Sequence, residues 1–443
     1  MPTPTGPYAA GSKTTFLHDE SRPLDACGGE RRGVRTLVTE LWYPVDAEQA
    51  ANAPRATYAD YVFGDASVHR DLMTHTTFFH LTPETVADGV TNEEIEAAIG
   101  ELFLRERGSC LNAPLATRGG PFPVLIASPG DAGSRHNLES LCEHLACHGY
   151  VVIAPEHTGN SPFAQLGRDP WQIETHRSQK QAEHVRLVRE ITDARGVYGE
   201  RAGFGQTYSP LRPQSGRGEA TRQLRDALLE RVRDLGTAMD WLAAANARGP
   251  WAGRLLTDRA GVIGRSFGAA TALSAAREDA RLACAFAVAA PAWRNAPFLK
   301  LRRPTFLLSG AEDDLLIGMA SNRDGTEPTP ENPHPLLLDA FVRSRAPAMW
   351  GLLANADHDA FACTARYWWP KLKPREAQRA LAPGETFNLV EPQRAHAVQQ
   401  LAAGAFFDRF LRMDPTALGS LDPTTLAAAG LTLATRNLGQ AAR

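Results

Sequence analysis

Apolar positions along the chain follow two periods. Short continuous apolar runs bounded by turn residues read as buried strands at 34–43 (ending at Pro44), 122–127, 150–154, 261–263, 284–288, 305–308 and 350–353. Between them lie stretches of helical period. Residues 224–242 place apolar side chains at 224, 228, 232, 235, 239 and 242, and Leu138, Leu141, Cys142 and Leu145 share one face of a helix closed by Gly149. Thr91-Asn92-Glu93-Glu94 is a capping box for a helix with Ile95, Ala98, Ile99 and Leu102 on one side. The last clear helix carries Val398, Leu401, Ala405, Phe406 and Phe410. Strands alternating with helices predict an α/β fold, a mostly parallel central sheet with helices on both faces.

The alternation is interrupted twice. Residues 51–120 and 156–220 are looser and are expected to be inserted cap or pocket segments. The helical part of the second, around Val185, Val188 and Ile191, has only a thin apolar stripe. Met73, Phe78, Phe79 and Leu81 either wall a pocket or fill core. Residues 7–30 read as loop with at most one strand, 321–335 as a Pro-rich surface loop, and 414–443 as a weakly patterned tail. No fixed-period repeat is present, so residues 1–413 are expected to form one domain.

Composition narrows this picture. A chain of 443 residues that is 43% hydrophobic can bury a sizeable core. A net charge of −3 gives no global attraction to nucleic acid or anionic membrane. No stretch approaches the ~20 apolar residues of a membrane span; the best, 282–293, is too short and contains Pro291. The first residues lack a basic segment followed by an apolar core, so the expected compartment is the cytoplasm, or the exterior if a leader precedes this sequence. The six cysteines (Cys27, Cys110, Cys142, Cys147, Cys284, Cys363) form no Cys-x-x-Cys pair and are expected to be buried free thiols.

Candidate chemistry centres on Gly264-Arg265-Ser266-Phe267-Gly268, set between the strand ending at Ile263 and a small-residue helix with Ala269, Leu273 and Ala276 on one face. Gly-x-Ser-x-Gly between strand and helix is the spacing of a nucleophile elbow, whose sharp turn lifts a serine hydroxyl above the sheet. Such a serine needs a base and an orienting acid, in the order Ser, Asp or Glu, His, from loops at strand ends. The strand at 305–308 runs into Ser309-Gly310-Ala311-Glu312-Asp313-Asp314, which selects Asp313 with Asp314 as its rival. The next strand runs into Asn355-Ala356-Asp357-His358. His358 is the histidine on a loop directly after a strand, whereas His334 lies in the Pro-rich loop and His396 in a helix pattern. Oxyanion donors are expected at the Phe267 N–H and in the turn Ser128-Pro129-Gly130-Asp131, at the Asp131 N–H. Glu156-His157 has no second histidine at ligand spacing, and His144 and His148, at i and i+4, lack the Glu of a zincin motif, so neither metal nor cofactor is expected.

Residues 264–271, Gly-Arg-Ser-Phe-Gly-Ala-Ala-Thr, resemble the elbow of plasma-type platelet-activating factor acetylhydrolases and their bacterial dienelactone-hydrolase-like relatives, usually Gly-His-Ser-Phe-Gly-Gly-Ala-Thr. Gly6-Pro7-Tyr8, Leu41-Trp42-Tyr43-Pro44 and Glu156-His157 are similar too. The resemblance implies an α/β-hydrolase that cleaves carboxylic esters, with Ser266, Asp313 and His358 as triad, Asp131 and Phe267 as oxyanion donors, and a small ester or lipid as partner. Two positions depart from the family: Pro129 stands for a histidine in the oxyanion turn, and Arg265 for the histidine before the nucleophile. Arg265 puts a cation under the elbow, where a salt bridge is expected. Within the fold the alternatives are a short-acyl esterase and a lipase or cutinase-like polyester hydrolase; outside catalysis, a ligand-binding protein on the same scaffold.

Overall fold

A computed structural model describes residues 6–27, 31–62, 66–75, 79, 81–82, 84–161, 163–164 and 217–439. The strands are β1 (Ala9–Asp19), β2 (Arg35–Val45), β3 (Arg55–Thr57), β4 (Glu106–Leu111), β5 (Phe122–Ser128), β6 (Val151–Pro155), β7 (Leu255–Arg265), β8 (Leu282–Val288), β9 (Thr305–Gly310), β10 (Ala348–Leu353), β11 (Glu376–Arg379), β12 (Ala382–Asn388) and β13 (Leu431–Arg436). Eleven of them form one sheet in the order β13-β10-β9-β8-β7-β5-β6-β2-β1-β4-β3, and β11 and β12 form a separate hairpin. From β10 to β6 the strands run parallel. β2 opposes β6, and β1 opposes β2.

The strands read as unbroken apolar runs because both faces of the sheet are covered. Every residue of β5 and β6 is buried. Alternate side chains feed two cores. Leu125, Val152, Ile263, Phe286 and Phe306 point to one, while Val124, Ile126, Val262, Ala285 and Leu307 point to the other. The first core is roofed by helices including α2 (Glu139–Cys147) and α5 (Pro392–Phe410), and the second by α3 (Arg217–Ala247) and α4 (Phe267–Glu278). Phe286 and Phe306 pack with tilted rings 4.9 Å apart, both against Phe406 of α5. Loss of one such aromatic costs about 3–5 kcal/mol in a packed core.

The first insertion is part of this body. Its helix α1 (Asn92–Leu104) starts with the expected capping box: the Glu94 N–H donates to Thr91 Oγ1 at 3.2 Å, and the Thr91 N–H to Glu94 Oε2 at 2.8 Å. β4 extends the sheet beside β1. Met73, Phe79 and Leu81 are buried in the first core rather than lining open space, and Phe78 lies outside the described residues. The helical stripe at Val185, Val188 and Ile191 also lies outside them.

Residues 414–443 are expected as a tail, but 431–436 of them belong to the sheet. β13 pairs antiparallel with β10 over its whole length, and Leu426 and Leu431 are buried. The pattern was weak because an edge strand hides little of its surface: only Leu431 of β13 is fully buried. Its partner is also remote in sequence, and local periodicity carries no signal for that. Leu431→Ala is expected to cost about 2–5 kcal/mol, read as a lower urea midpoint at unchanged slope. An unaltered midpoint would mean that the segment is not part of the cooperative unit.

β5 sits between β7 and β6, so the chain leaves it in one direction to reach β6 and later returns on its other side as β7. Such a reversal opens a crevice at the carboxyl ends of the strands. Register aligns those ends: Ser128 lies beside Gly264, Arg265 beside Val288, and Gly310 beside Leu353.

Candidate active site

Ser266 occupies the turn between β7 and α4 with φ 55° and ψ −128°, a left-handed backbone that costs a non-glycine residue about 1–3 kcal/mol. The turn can form only because its neighbours are glycines. A Cβ on Gly264 would lie 2.0 Å from the Gly268 carbonyl oxygen, and one on Gly268 would lie 2.1 Å from that of Ser128. The serine is pinned by its N–H donating to the Val288 carbonyl at 2.9 Å and by its own carbonyl accepting from the Ala269 N–H at 2.7 Å. It is 3% exposed.

The three residues singled out from the sequence meet here. His358 Nε2 lies 2.9 Å from Ser266 Oγ, and His358 Nδ1 lies 2.8 Å from Asp313 Oδ2. Asp313, in the turn after β9, is fully buried, and its other oxygen accepts the Leu316 N–H at 3.0 Å. Burial alone would raise its carboxyl, but the charge and hydrogen bond of His358 outweigh it and hold the group below the ordinary carboxylate range. The rival Asp314 is exposed and accepts the N–H of the next residue. His334 is buried behind the acid, with Nε2 2.7 Å from the Gly310 carbonyl. His396 lies on α5 against Ser140. A Cβ on Gly310 would come within 2.2 Å of the Ala356 carbonyl, so this glycine lets the acid-bearing and histidine-bearing turns pass each other.

Arg265 reaches the same turn as the serine, its Nη1 lying 3.3 Å from where a Cβ on Gly130 would sit. It is 1% exposed and donates to the His358 carbonyl at 2.5 Å and to Asp359 Oδ1 at 2.9 Å. The expected salt bridge is present, to Asp359, and the bond to the His358 carbonyl ties the residue before the serine to the backbone of the histidine.

The turn 130–133 faces the elbow. A Cβ on Gly130 would sit 3.1 Å from that of Ser266, and the turn closes with the Gly133 N–H on the Gly130 carbonyl at 3.2 Å. Phe267 is the first residue of α4, where the N–H has no acceptor within the helix. Asp131 accepts from Asn160 Nδ2 at 2.7 Å through its side chain.

Beneath this turn lies a buried polar network that periodicity alone did not reveal. Arg231 of α3 donates to the Pro129 carbonyl and to Asn160 Oδ1, and to the Gly130 carbonyl at 3.2 Å. Ser128, His157 and Asp234 form a second Ser-His-Asp chain, with Ser128 Oγ 2.9 Å from His157 Nε2 and His157 Nδ1 2.9 Å from Asp234 Oδ2. Arg35 grips Asp234 at 3.0 and 2.6 Å, and Arg22 adds a bond of 2.9 Å. Desolvation opposes the Asp234 charge, yet these cations and His157 hold its carboxyl far below the usual range. His157 is driven down to about 3, by burial first and then by the charge of Arg231. It is therefore neutral, donating from Nδ1 to Asp234 and accepting the Ser128 hydroxyl at Nε2. The sequence did hold a signal: Ala227, Arg231, Asp234 and Ala238 recur at helical spacing next to the apolar stripe of α3, and all four are buried.

A six-strand parallel core, a strained serine at the carboxyl end of β7, and an acid and histidine after β9 and β10 define an α/β-hydrolase. The family model described as "Platelet-activating factor acetylhydrolase, isoform II" matches residues 90–196. A protein of Schizosaccharomyces pombe (strain 972 / ATCC 24843) named "Putative phospholipase A2" is 36% identical over 107 residues, which are 24% of this chain. The chain spans about a fifth of that relative's length, the match covering 20% of it. A ferulic acid esterase structure from Streptomyces cinnamoneus superposes with a TM-score of 0.58 at 23% identity, covering 98% of each chain. The chain thus has an α/β-hydrolase fold and is similar to the platelet-activating factor acetylhydrolase family over residues 90–196. The family match contains the 128–131 turn and Glu156-His157 and ends before Ser266.

The depressed His157 gives a test with a defined sign. Below its unfolded value near 6.5 the unfolded chain binds a proton that the folded chain refuses until about 3, so its share of stability is intact above pH 6.5 and drains as pH falls toward 3. His157→Gln is expected to reduce the rise of unfolding free energy with pH by about 1.4 kcal/mol per pH unit between pH 6 and 4. Denaturant titrations at several pH values measure this, and equal slopes would refute a neutral buried His157.

Proposed function

We propose that the protein hydrolyses carboxylic esters through an acyl-enzyme on Ser266. The observation that carries the reading is the continuous chain from Ser266 Oγ through His358 to Asp313, mounted on a left-handed elbow. Ser266 Oγ attacks the ester carbonyl while His358 Nε2 takes its proton. Asp313 holds the Nδ1–H tautomer and stabilises the imidazolium. The tetrahedral oxyanion is received by the N–H groups of Phe267 and Asp131, each worth about 3 kcal/mol to the transition state. Collapse passes the proton from His358 to the departing alcohol. Water then attacks the acyl-enzyme by the same route, releasing the acid and restoring Ser266.

The substrate class we propose is short-acyl or amphiphilic esters, platelet-activating-factor-like phospholipids among them. The family match supports this reading, as does the low exposure of Ser266. So does the packed aromatic cluster of Tyr58, Tyr61, Phe79, Phe163 and Trp368 around His136, just beyond the 130–133 turn. Side chains filling this region leave less room for a long acyl chain.

A fluorophosphonate probe is expected to label wild type and Ser128→Ala but not Ser266→Ala. Unlabelled wild type would favour the non-catalytic reading, and labelling of Ser266→Ala would move the nucleophile elsewhere. With p-nitrophenyl esters from acetate to palmitate, kcat/KM is expected to peak at short chains; a maximum at long chains would favour a lipase. Arg265 is a positioning residue in this scheme, acting through the His358 carbonyl. Arg265→Met is expected to lower kcat about 10- to 100-fold with little change in KM. A change confined to KM would place Arg265 in substrate binding instead.

A further inference from the structure

The opposite edge of the sheet carries a feature that ester hydrolysis does not use. At the amino ends of β8, β9 and β10, beside Asp258 and Arg259 of β7, lies a cleft of about 1700 Å³. Cationic side chains dominate its lining. Two are compensated by acids, Arg343 by Asp339 at 2.8 Å and Arg281 by Asp279 and Asp240 at 2.6 and 2.7 Å. Six are not: Arg259, Arg294, Lys300, Arg302, Arg303 and Arg345, against the single further acid Asp258.

These six fall into two kinds. Arg259 and Arg294 are held by neutral acceptors and keep their full charge. Arg259 donates to the Phe410 carbonyl at 2.9 Å, and its Nε is buried without an acceptor. Arg294 donates to the Asp324 carbonyl at 3.1 Å. The side chains of Lys300, Arg302, Arg303 and Arg345 have no hydrogen-bond or ion-pair partner among the described residues, and all but Arg303 are exposed. Solubility asks only for interspersed charges of both signs. Like charges gathered around a concavity repel one another, and an anion placed between them removes that repulsion.

We infer that this cleft is a binding site for a soluble, multiply charged anion bearing several phosphate or carboxylate groups. Guanidinium forks match both groups in a bidentate way. Shape and charge argue for a compact ligand. A flat bilayer would meet only the rim of the cleft, and the net charge of −3 leaves the rest of the surface unsuited to an extended polyanion. The site is separate from the serine: along β8 five residue steps, about 16 Å, lie between the lining residue Ala283 and Val288, whose carbonyl holds Ser266. That exceeds the screening length of roughly 8–10 Å at ordinary salt. The inference is therefore independent of the ester-hydrolase reading.

The test is calorimetric titration of the full chain with tripolyphosphate and with citrate, which separates phosphate from carboxylate recognition. Binding of at least one is expected, weakened by salt and weakened about tenfold or more in Arg302→Glu/Arg345→Glu, both sites being exposed. Hydrolysis of p-nitrophenyl acetate and the melting temperature should stay as in wild type, which excludes misfolding. Lys13→Glu/Arg394→Glu, the same charge change at exposed sites elsewhere, should leave binding intact. The inference is overturned if neither anion binds, if the control variant weakens binding equally, or if only phosphatidylserine vesicles bind.

Discussion

The structure depends on a close approach of backbones around Ser266. The β7–α4 turn folds so tightly that no side chain fits at Gly264 against the Gly268 carbonyl, and it runs so near to the end of β5 that none fits at Gly268. Everything at the carboxyl edge follows from that contact. The register that sets Ser128 beside Gly264 brings the 130–133 turn against the serine, and the ladder from β7 through β8 and β9 to β10 brings Asp313 and His358 round to its other side. The left-handed conformation of Ser266 is unfavourable alone. It persists because bonds to Val288 and Ala269, and a helix buried from its first residue, determine the backbone on both sides.

The second support is electrostatic. Removing Arg35, Arg231, Asp234 and His157 from water carries a large desolvation cost, recovered only when each group is hydrogen-bonded and paired. Here the pairing reaches from β2 through α3 to the carbonyls of Pro129 and Gly130, so the charges hold the turn facing the serine. The Ser128-His157-Asp234 chain has the composition of a catalytic triad and the opposite character. Its serine is fully buried, and its histidine is kept neutral by burial and a neighbouring arginine. Side-chain identity and hydrogen-bond order do not separate the two chains; backbone strain and access do.

The two edges of the sheet also differ in kind. The carboxyl edge combines a strained serine with a bonded acid and histidine, and Arg265 there is paired with Asp359. The amino edge gathers cations whose charges are left uncompensated. A parallel sheet separates such environments, because its strand ends are all of one sort on each side and lie farther apart than salt lets charges interact.

Much of this was legible in the chain itself. Period and punctuation located the parallel core strands and the helices between them, since those signals are local. The glycine spacing around Ser266 carried the elbow, because the exclusion at Gly264 acts within the turn itself, although the one at Gly268 comes from Ser128 and Pro129. The order of acid and histidine after successive strands carried Asp313 and His358. Other features were decided only by tertiary structure. Spacing selected Asp313 and left Asp314 as its rival; only the fold shows that Asp313 is the carboxylate buried against His358. The role of Arg265 came from a carbonyl 93 residues away. The place of β13 came from an unpaired edge of β10, and the charged face of α3 acquired its meaning only when β2 and β5 packed against it. Local sequence determines what each segment can form. Contacts between distant segments decide which titratable groups lose water, and desolvation and pairing set what those groups can do.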